Sequence, residues 1–199
     1  MEPRTLLRIK EYLYDHAGII RTQEFQRAGF HNAYLSTLVD QDRVVRLKPG
    51  LYLATGSQTA SGFFEVQLAL PRSVVCLASA LSHYELSTYE PPEVQVAIPR
   101  GDRTKPPDSP PSWRFSFSKD RYSVGIETES IDGREVRIYD REKTICDCIR
   151  FRRTLGQDVV NEAVRGYLGQ SQKDIDKVIE YSRALRQEGP VRDHLRISA

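Results

Sequence analysis

Residues 22–55, TQEFQRAGFHNAYLSTLVDQDRVVRLKPGLYLAT, decide the fold. Thr22 is the expected N-cap of a short helix that turns Phe25 and Ala28 inward and closes at Gly29 after about two turns. A tight turn at Phe30 and His31 leads to Asn32, the expected N-cap of a second helix. Here Leu35, Leu38 and Val39 form the buried stripe, and Ala33, Tyr34, Ser36, Thr37 and Gln41 face outward. Val44 to Leu47 and Leu51 to Leu53 read as strands flanking Lys48-Pro49-Gly50, whose proline and glycine suit a hairpin tip. Upstream, Leu6, Ile9 or Lys10, and Leu13 recur at helical spacing among Arg4, Arg8, Glu11 and Asp15, which predicts an amphipathic helix ended by Gly18. Three helices and a hairpin make a winged helix-turn-helix.

At 199 residues the chain has room for two modest domains. Ser57, Thr59 and Ser61, between Gly56 and Gly62, mark a linker, so the expected domains are residues 1–56 and 57–199. Beyond it, Phe63 to Leu70 predicts a helix stopped by Pro71, and Val74 to Leu86 a buried helix. Val94 to Ile98 and Trp113 to Phe117 are strands around the proline-bearing loop Gly101 to Ser112. Val124 to Ile131 and Glu135 to Tyr139 bracket Asp132-Gly133, the pair suited to a two-residue type I′ hairpin turn. Asp140, Asp158 and Asp174 are expected to cap helices running to about Leu155, to about Leu168 and toward Arg186, with Gly189-Pro190 stopping the last. The expected class is α+β: a winged helix-turn-helix, then a larger domain with an antiparallel sheet and C-terminal helices.

A hydrophobic fraction of 39% with 28% charged residues describes an ordinary globular protein. MEPRTLLRIKEYLYDH alternates charge with apolar residues too often for a signal segment, and no apolar run approaches the ~20 residues that span a bilayer. A cytoplasmic protein with no membrane partner is therefore expected. Cys76, Cys146 and Cys148 are odd in number, which favours thiols over a disulfide framework. The net charge of +2 is too mild to establish nucleic-acid binding. Its placement is more telling: residues 1–55 carry eight basic and six acidic side chains, and the remainder 21 of each.

In a helix-turn-helix the second helix enters the major groove, so its exposed side chains must be hydrogen-bonders able to reach base edges. Asn32, Tyr34, Ser36, Thr37 and Gln41 meet that need, with Thr22 at the start of the preceding helix. Arg21, Arg27, Arg43, Arg46 and Lys48 surround this face and could hold phosphates, with Lys48 at the wing tip. The competing interpretation is a protein-binding winged helix with solvated charges.

The wing RLKPGLYLATG, followed in order by VVCLASALSHYELST, VQVAIPR and VRIYDREKTICDCIRFRRTLGQDVVNEAVRGYL, resembles the AbiEi-type antitoxins of type IV toxin-antitoxin systems over nearly the whole chain. The resemblance implies an autorepressor that binds inverted repeats in its own promoter. It also implies a second domain that counteracts a nucleotidyltransferase-like toxin without a stable complex. One small winged helix covers few base pairs, so two copies on promoter DNA are expected. Without a toxin gene beside it, the repressor role alone would remain.

Enzymatic alternatives find little in the residues. His83 lies near Cys76 and Glu85, but no C-x-x-C or His-x-x-x-His spacing supports a metal, and no cofactor motif such as G-x-x-x-x-G-K occurs. Glu127, Glu129, Asp132 and Glu135 could hold a nuclease metal, yet no catalytic lysine stands nearby and the solvent side of a strand accounts for them. No catalytic residue is assigned. Arg141, Lys143, Arg150, Arg152 and Arg153, broken by Ile145, Cys148, Ile149 and Phe151 at helical spacing, are the candidate antitoxin surface. They could meet RNA, a nucleotide or an acidic partner, or form a solvated face paired with Glu142 and Asp147; Asp147 is also a candidate buried partner of one arginine. A ligand-responsive winged-helix transcription factor without a toxin partner and a DNA-targeted nuclease stay as alternatives.

Overall fold

A computed structural model describes residues 2–198. The chain is α+β and divides into two compact units, Met1–Leu70 with Lys105–Pro111, and Pro71–Thr104 with Ser112–Ala199.

The first unit begins with α1 (Pro3–Asp15), whose proline sits in the first turn, where a missing N–H costs nothing. Gly18 ends this helix at φ +83°, its N–H donating to Leu13 O at 2.7 Å. A Cβ there would lie 2.3 Å from Ser57 Oγ, so glycine is required twice over. The short strand β1 (Ile19–Arg21) follows, too brief for any alternation to reveal it in the sequence.

Next come α2 (Thr22–Arg27), α3 (Ala33–Asp40), β2 (Val44–Lys48) and β3 (Leu51–Ala54), with the sheet ordered β1-β3-β2 and antiparallel throughout. Neither expected N-cap acts through its side chain. Thr22 is already inside α2, its N–H taken by Gly50 O at 3.0 Å because β1 delivers Arg21 as an extended residue. Asn32 has helical angles (φ −58°, ψ −27°), which deny its side chain the backward reach a cap needs, and His31 Nδ1 accepts the Ala33 N–H instead.

Phe25 and Phe30 stack at 4.5 Å in the centre of the unit, with Tyr12 edge-on to both. Ile9, Ile20, Leu35, Leu38 and Val44 close this core. Tyr34, expected outside, packs against it half-buried. A second cluster joins Leu47, Leu51 and Leu53 to Ala69, Phe64 and Leu68 of α4 (Phe63–Ala69). That apolar contact is why the first unit runs on to Leu70, past the linker expected at residues 56–62. Residues 105–111 join it through Asp108, whose N–H donates to Leu47 O and whose carboxylate lies 3.9 Å from Arg46 Nε.

The second unit contains β4 (Val74–Val75), α5 (Leu77–His83), β5 (Val94–Pro99), β6 (Ser112–Phe117), α6 (Lys119–Ser123), β7 (Ile126–Ile131) and β8 (Arg134–Tyr139). The helices α7 (Arg141–Arg150), α8 (Arg152–Leu155), α9 (Gln157–Gly169), α10 (Ile175–Ala184) and α11 (Glu188–Ser198) complete it. Its sheet, ordered β6-β5-β4-β8-β7, is mixed rather than antiparallel: β5–β6 and β4–β8 run parallel, β4–β5 and β7–β8 antiparallel. The expected helix from Val74 is instead the central strand β4 followed by α5. Residues 74–82 are buried almost without a break, so no periodicity separates strand from helix there. The β7–β8 hairpin turns on Asp132 (φ 52°) and Gly133 (φ 73°), the two left-handed residues of a type I′ turn, as expected.

Asp140 and Asp174 cap as anticipated, accepting from the N–H groups of Lys143 (2.7 Å) and Lys177 (2.9 Å). Asp158 does not, because α9 starts one residue earlier after Gly156 at φ 95°. Gly189-Pro190 stops nothing: it lies in the first turn of α11, where proline needs no N–H partner. Residues 142–149 of α7 are buried in full, so it is the central helix of the unit, packed against α5, α9, α10 and α11. Among the described residues no helix is long and apolar enough to cross a membrane.

Candidate nucleic-acid interface

α2 and α3 are joined through Gly29, whose φ of +85° lets the chain reverse while the Phe30 N–H still reaches Phe25 O. That turn, and the burial of Leu35 and Leu38, leave Asn32, Ala33, Ser36, Asp40 and Gln41 as an exposed strip of α3 and its ends. Ser36 and Asn32 have open hydrogen-bonding capacity on this strip, while Gln41 Oε1 accepts from Arg43 Nε at 3.2 Å. Thr37 is half-buried and its hydroxyl donates to Ala33 O, and Tyr34 is partly in the core, so these two are recessed relative to their neighbours.

The cations around this strip are placed unevenly. Arg21, Arg27, Arg43 and Arg46 are exposed. Arg21 lies 3.9 Å from Glu24 and Arg46 the same distance from Asp108; both pairs are half-solvated and contribute little to stability. Lys48 is half-buried, and its ammonium donates to Ala69 O at the end of α4, where a cation meets an unpaired helix carbonyl. Thr22 is half-buried beside Gly50. Asn32, Ser36, Gln41, Arg43 and Arg46 are thus the members of the expected set that solvent reaches freely on this strip and the wing.

In the second unit the expected basic stretch is split by burial. Lys143 is fully buried, so the expected surface does not include it. Its ammonium pairs with Asp147 one helical turn on and lies 4.2 Å from the centre of the Tyr139 ring. Burial pulls the Lys143 pKa down, opposed by the Asp147 charge. The other oxygen of Asp147 takes Arg121 Nη1, and Arg121 in turn donates to Leu185 O and Gln187 Oε1. Asp147 is therefore the buried partner of an arginine, though Arg121 lies outside the stretch.

Arg141 lies over the Tyr84 ring at 4.5 Å. Close by, Glu129 accepts from the Tyr84 hydroxyl at 2.8 Å and sits 2.9 Å from His83 Nε2. Burial pushes its carboxyl up, but the bonds from His83 and Tyr84 outweigh that and hold it below the ordinary range. Glu129 is therefore occupied within the fold rather than facing solvent like a free strand residue. Arg150 and Arg153 are exposed, and Arg152 is half-buried with Nη1 donating to Ile149 O at 3.1 Å.

The charged network around α7 escaped sequence reasoning because its partners are far apart in the chain. Lys177 reaches Asp140 and Glu142 at 3.1 and 3.3 Å, Tyr181 donates to Asp140, and Tyr167 to Glu142. Each carboxylate accepts from several groups, a sign that this network ties α9 and α10 to α7 rather than awaiting a substrate.

Residues 8–55 match the family described as transcriptional regulator, AbiEi antitoxin. The matched segment takes in most of α1, all of β1, α2 and α3, and the wing, so the family's region coincides with the winged helix-turn-helix. The resemblance read from the sequence is borne out over this segment, which supports a regulator or antitoxin role. No curated protein matches the chain.

Proposed function

We propose, from the match of residues 8–55 to AbiEi transcriptional regulators, that the protein is a DNA-binding autorepressor and the antitoxin of a type IV toxin-antitoxin system. The single observation that carries this is the coincidence of the matched segment with a winged helix whose α3 exposes Asn32, Ser36 and Gln41 beside Arg43 and Arg46. Two copies bind an inverted repeat in the promoter, α3 entering the major groove and the arginines holding phosphates. The second unit counteracts a nucleotidyltransferase-like toxin, with Arg141, Arg150, Arg152 and Arg153 as its working side chains.

Titration of the full chain against its promoter fragment at several salt concentrations tests the first half. Affinity should fall steeply with salt, and Arg43→Ala with Arg46→Ala should flatten log K against log salt by about 0.9 for each phosphate no longer neutralised. Ser36→Ala or Gln41→Ala should change preference among sequences. Salt-independent binding, or equal losses on every sequence, would refute the respective role. For the second half, Arg150→Glu with Arg153→Glu should abolish rescue from a neighbouring toxin in a growth assay while repression persists.

A further inference from the structure

Arg150, Arg152 and Arg153 meet Arg186 around one cleft of about 500 Å³ in the second unit, floored by Ile149, Phe151 and Gln187. No lining residue carries a carboxylate. Among the described residues, none of the four guanidinium groups has a carboxylate within 4.0 Å. Four arginines thus line a space sized for a small ligand, with no carboxylate among its walls to neutralise them.

A structural reason exists for only part of this. Arg150 ends α7, where a cation complements the helix dipole. Arg186 follows α10 at φ 55°, the left-handed position that glycine normally takes: its N–H donates to Arg183 O and the Gln187 N–H to Ser182 O, closing the helix. A side chain at that position strains the backbone where glycine would not. Two of the residues that line the cleft are fastened in place. Phe151 is stacked on Phe117 at 5.8 Å and edge-on to Phe115, and Gln187 is fastened to Cys146 O and to Arg121.

We propose that this cleft binds a small polyphosphate anion, two or three linked phosphates, carried by a nucleotide or free in solution. Guanidinium forks take phosphate oxygens in pairs, and a triphosphate carries enough charge to offset four of them, whereas a single phosphate leaves two or more uncompensated. A nucleic-acid strand fits less well, because Phe151, the aromatic side chain that lines the cleft, is already stacked on Phe117 and is not free to stack a base. The proposal goes beyond the DNA-binding reading and stands without it, since its test contains neither DNA nor toxin.

The test is calorimetric titration of the purified full chain at low salt with inorganic triphosphate, ATP and adenosine. Both triphosphates should bind and adenosine should not; tighter binding of ATP than of the inorganic chain identifies the nucleotide as the source, and equal binding the phosphate chain. Arg150→Ala and Arg186→Gly should each weaken binding about tenfold or more, the effect of removing one charge-assisted hydrogen bond. Arg103→Ala, on a loop elsewhere, should leave it unchanged. Arg186→Gly relieves the left-handed backbone, so its Tm should not fall, which separates lost binding from lost folding. No heat with either triphosphate up to about 5 mM, equal binding of adenosine, or about tenfold tighter binding of a single-stranded RNA would overturn the proposal.

Discussion

Replacing Asp147 by Asn should destabilise the second unit more than any change at its surface. Asp147 is fully buried and divides its two oxygens between Lys143, itself fully buried, and Arg121, about one-tenth exposed. The amide keeps the volume and one acceptor but leaves two buried cations without a counter-charge. Breaking a buried pair in this way costs about 3–5 kcal/mol. The lower end is expected because Lys143 has an escape. Burial already lowers its pKa, and losing the Asp147 charge lowers it further, so the folded variant loses this proton at a lower pH than the parent does. Between that lowered value and the unfolded lysine pKa near ~10.4, the unfolded chain binds more protons than the folded one, so the variant's stability rises with pH. The deficit relative to the parent should therefore shrink as pH rises from that lowered value toward ~10.4. Urea unfolding followed by Trp113, the only tryptophan and a residue of β6, reports on this unit. Adding Lys143→Met should recover about 1–2 kcal/mol by removing one stranded cation. A loss below about 1 kcal/mol at pH 7, or a deficit that widens with pH, would refute the buried-triad account.

Three further outcomes are expected. Gly18→Ala should destabilise the first unit by about 2 kcal/mol or more, since a side chain at φ +83° also overlaps Ser57; an unchanged urea midpoint would contradict the turn geometry. Glu129→Gln should lower stability at pH 6 by less than about 1 kcal/mol, because this carboxylate is partly solvated. Its folded pKa is depressed, so its contribution is present above the unfolded value of ~4.3 and lost as pH falls through the folded one; the two proteins should converge at the acid end of the profile, and a constant gap would count against it. Cys76, Cys146 and Cys148 are all buried, and burial raises every thiol, Cys146 to about 12, so a thiol reagent should label none of them until denaturant is added.

Much of the exposed α3 strip and wing was legible because it depends on local order. The spacing of Leu35 and Leu38, the glycine turn and the wing all act within a few residues. Tyr34 and Thr37 were misjudged because a helical wheel assigns a face, not a depth: aromatic and β-branched side chains beside the buried stripe sink part-way into the core. Lys48 looked like a wing-tip cation until α4 supplied a carbonyl that its own neighbourhood does not contain.

The sequence by itself determined the winged helix, the Asp132-Gly133 hairpin, the caps at Asp140 and Asp174 and the α+β class, because each follows from backbone preferences and periodicity over short spans. Tertiary structure alone decided that Val74-Val75 is a central strand, that Lys143 is buried, that α4 belongs with the wing, and that Arg186 stands beside Arg150 across a cleft. Those outcomes rest on pairings between residues tens of positions apart. Burial on all sides erases the alternation that marks a half-exposed element, and a charge tolerates burial only where a distant partner arrives to meet it.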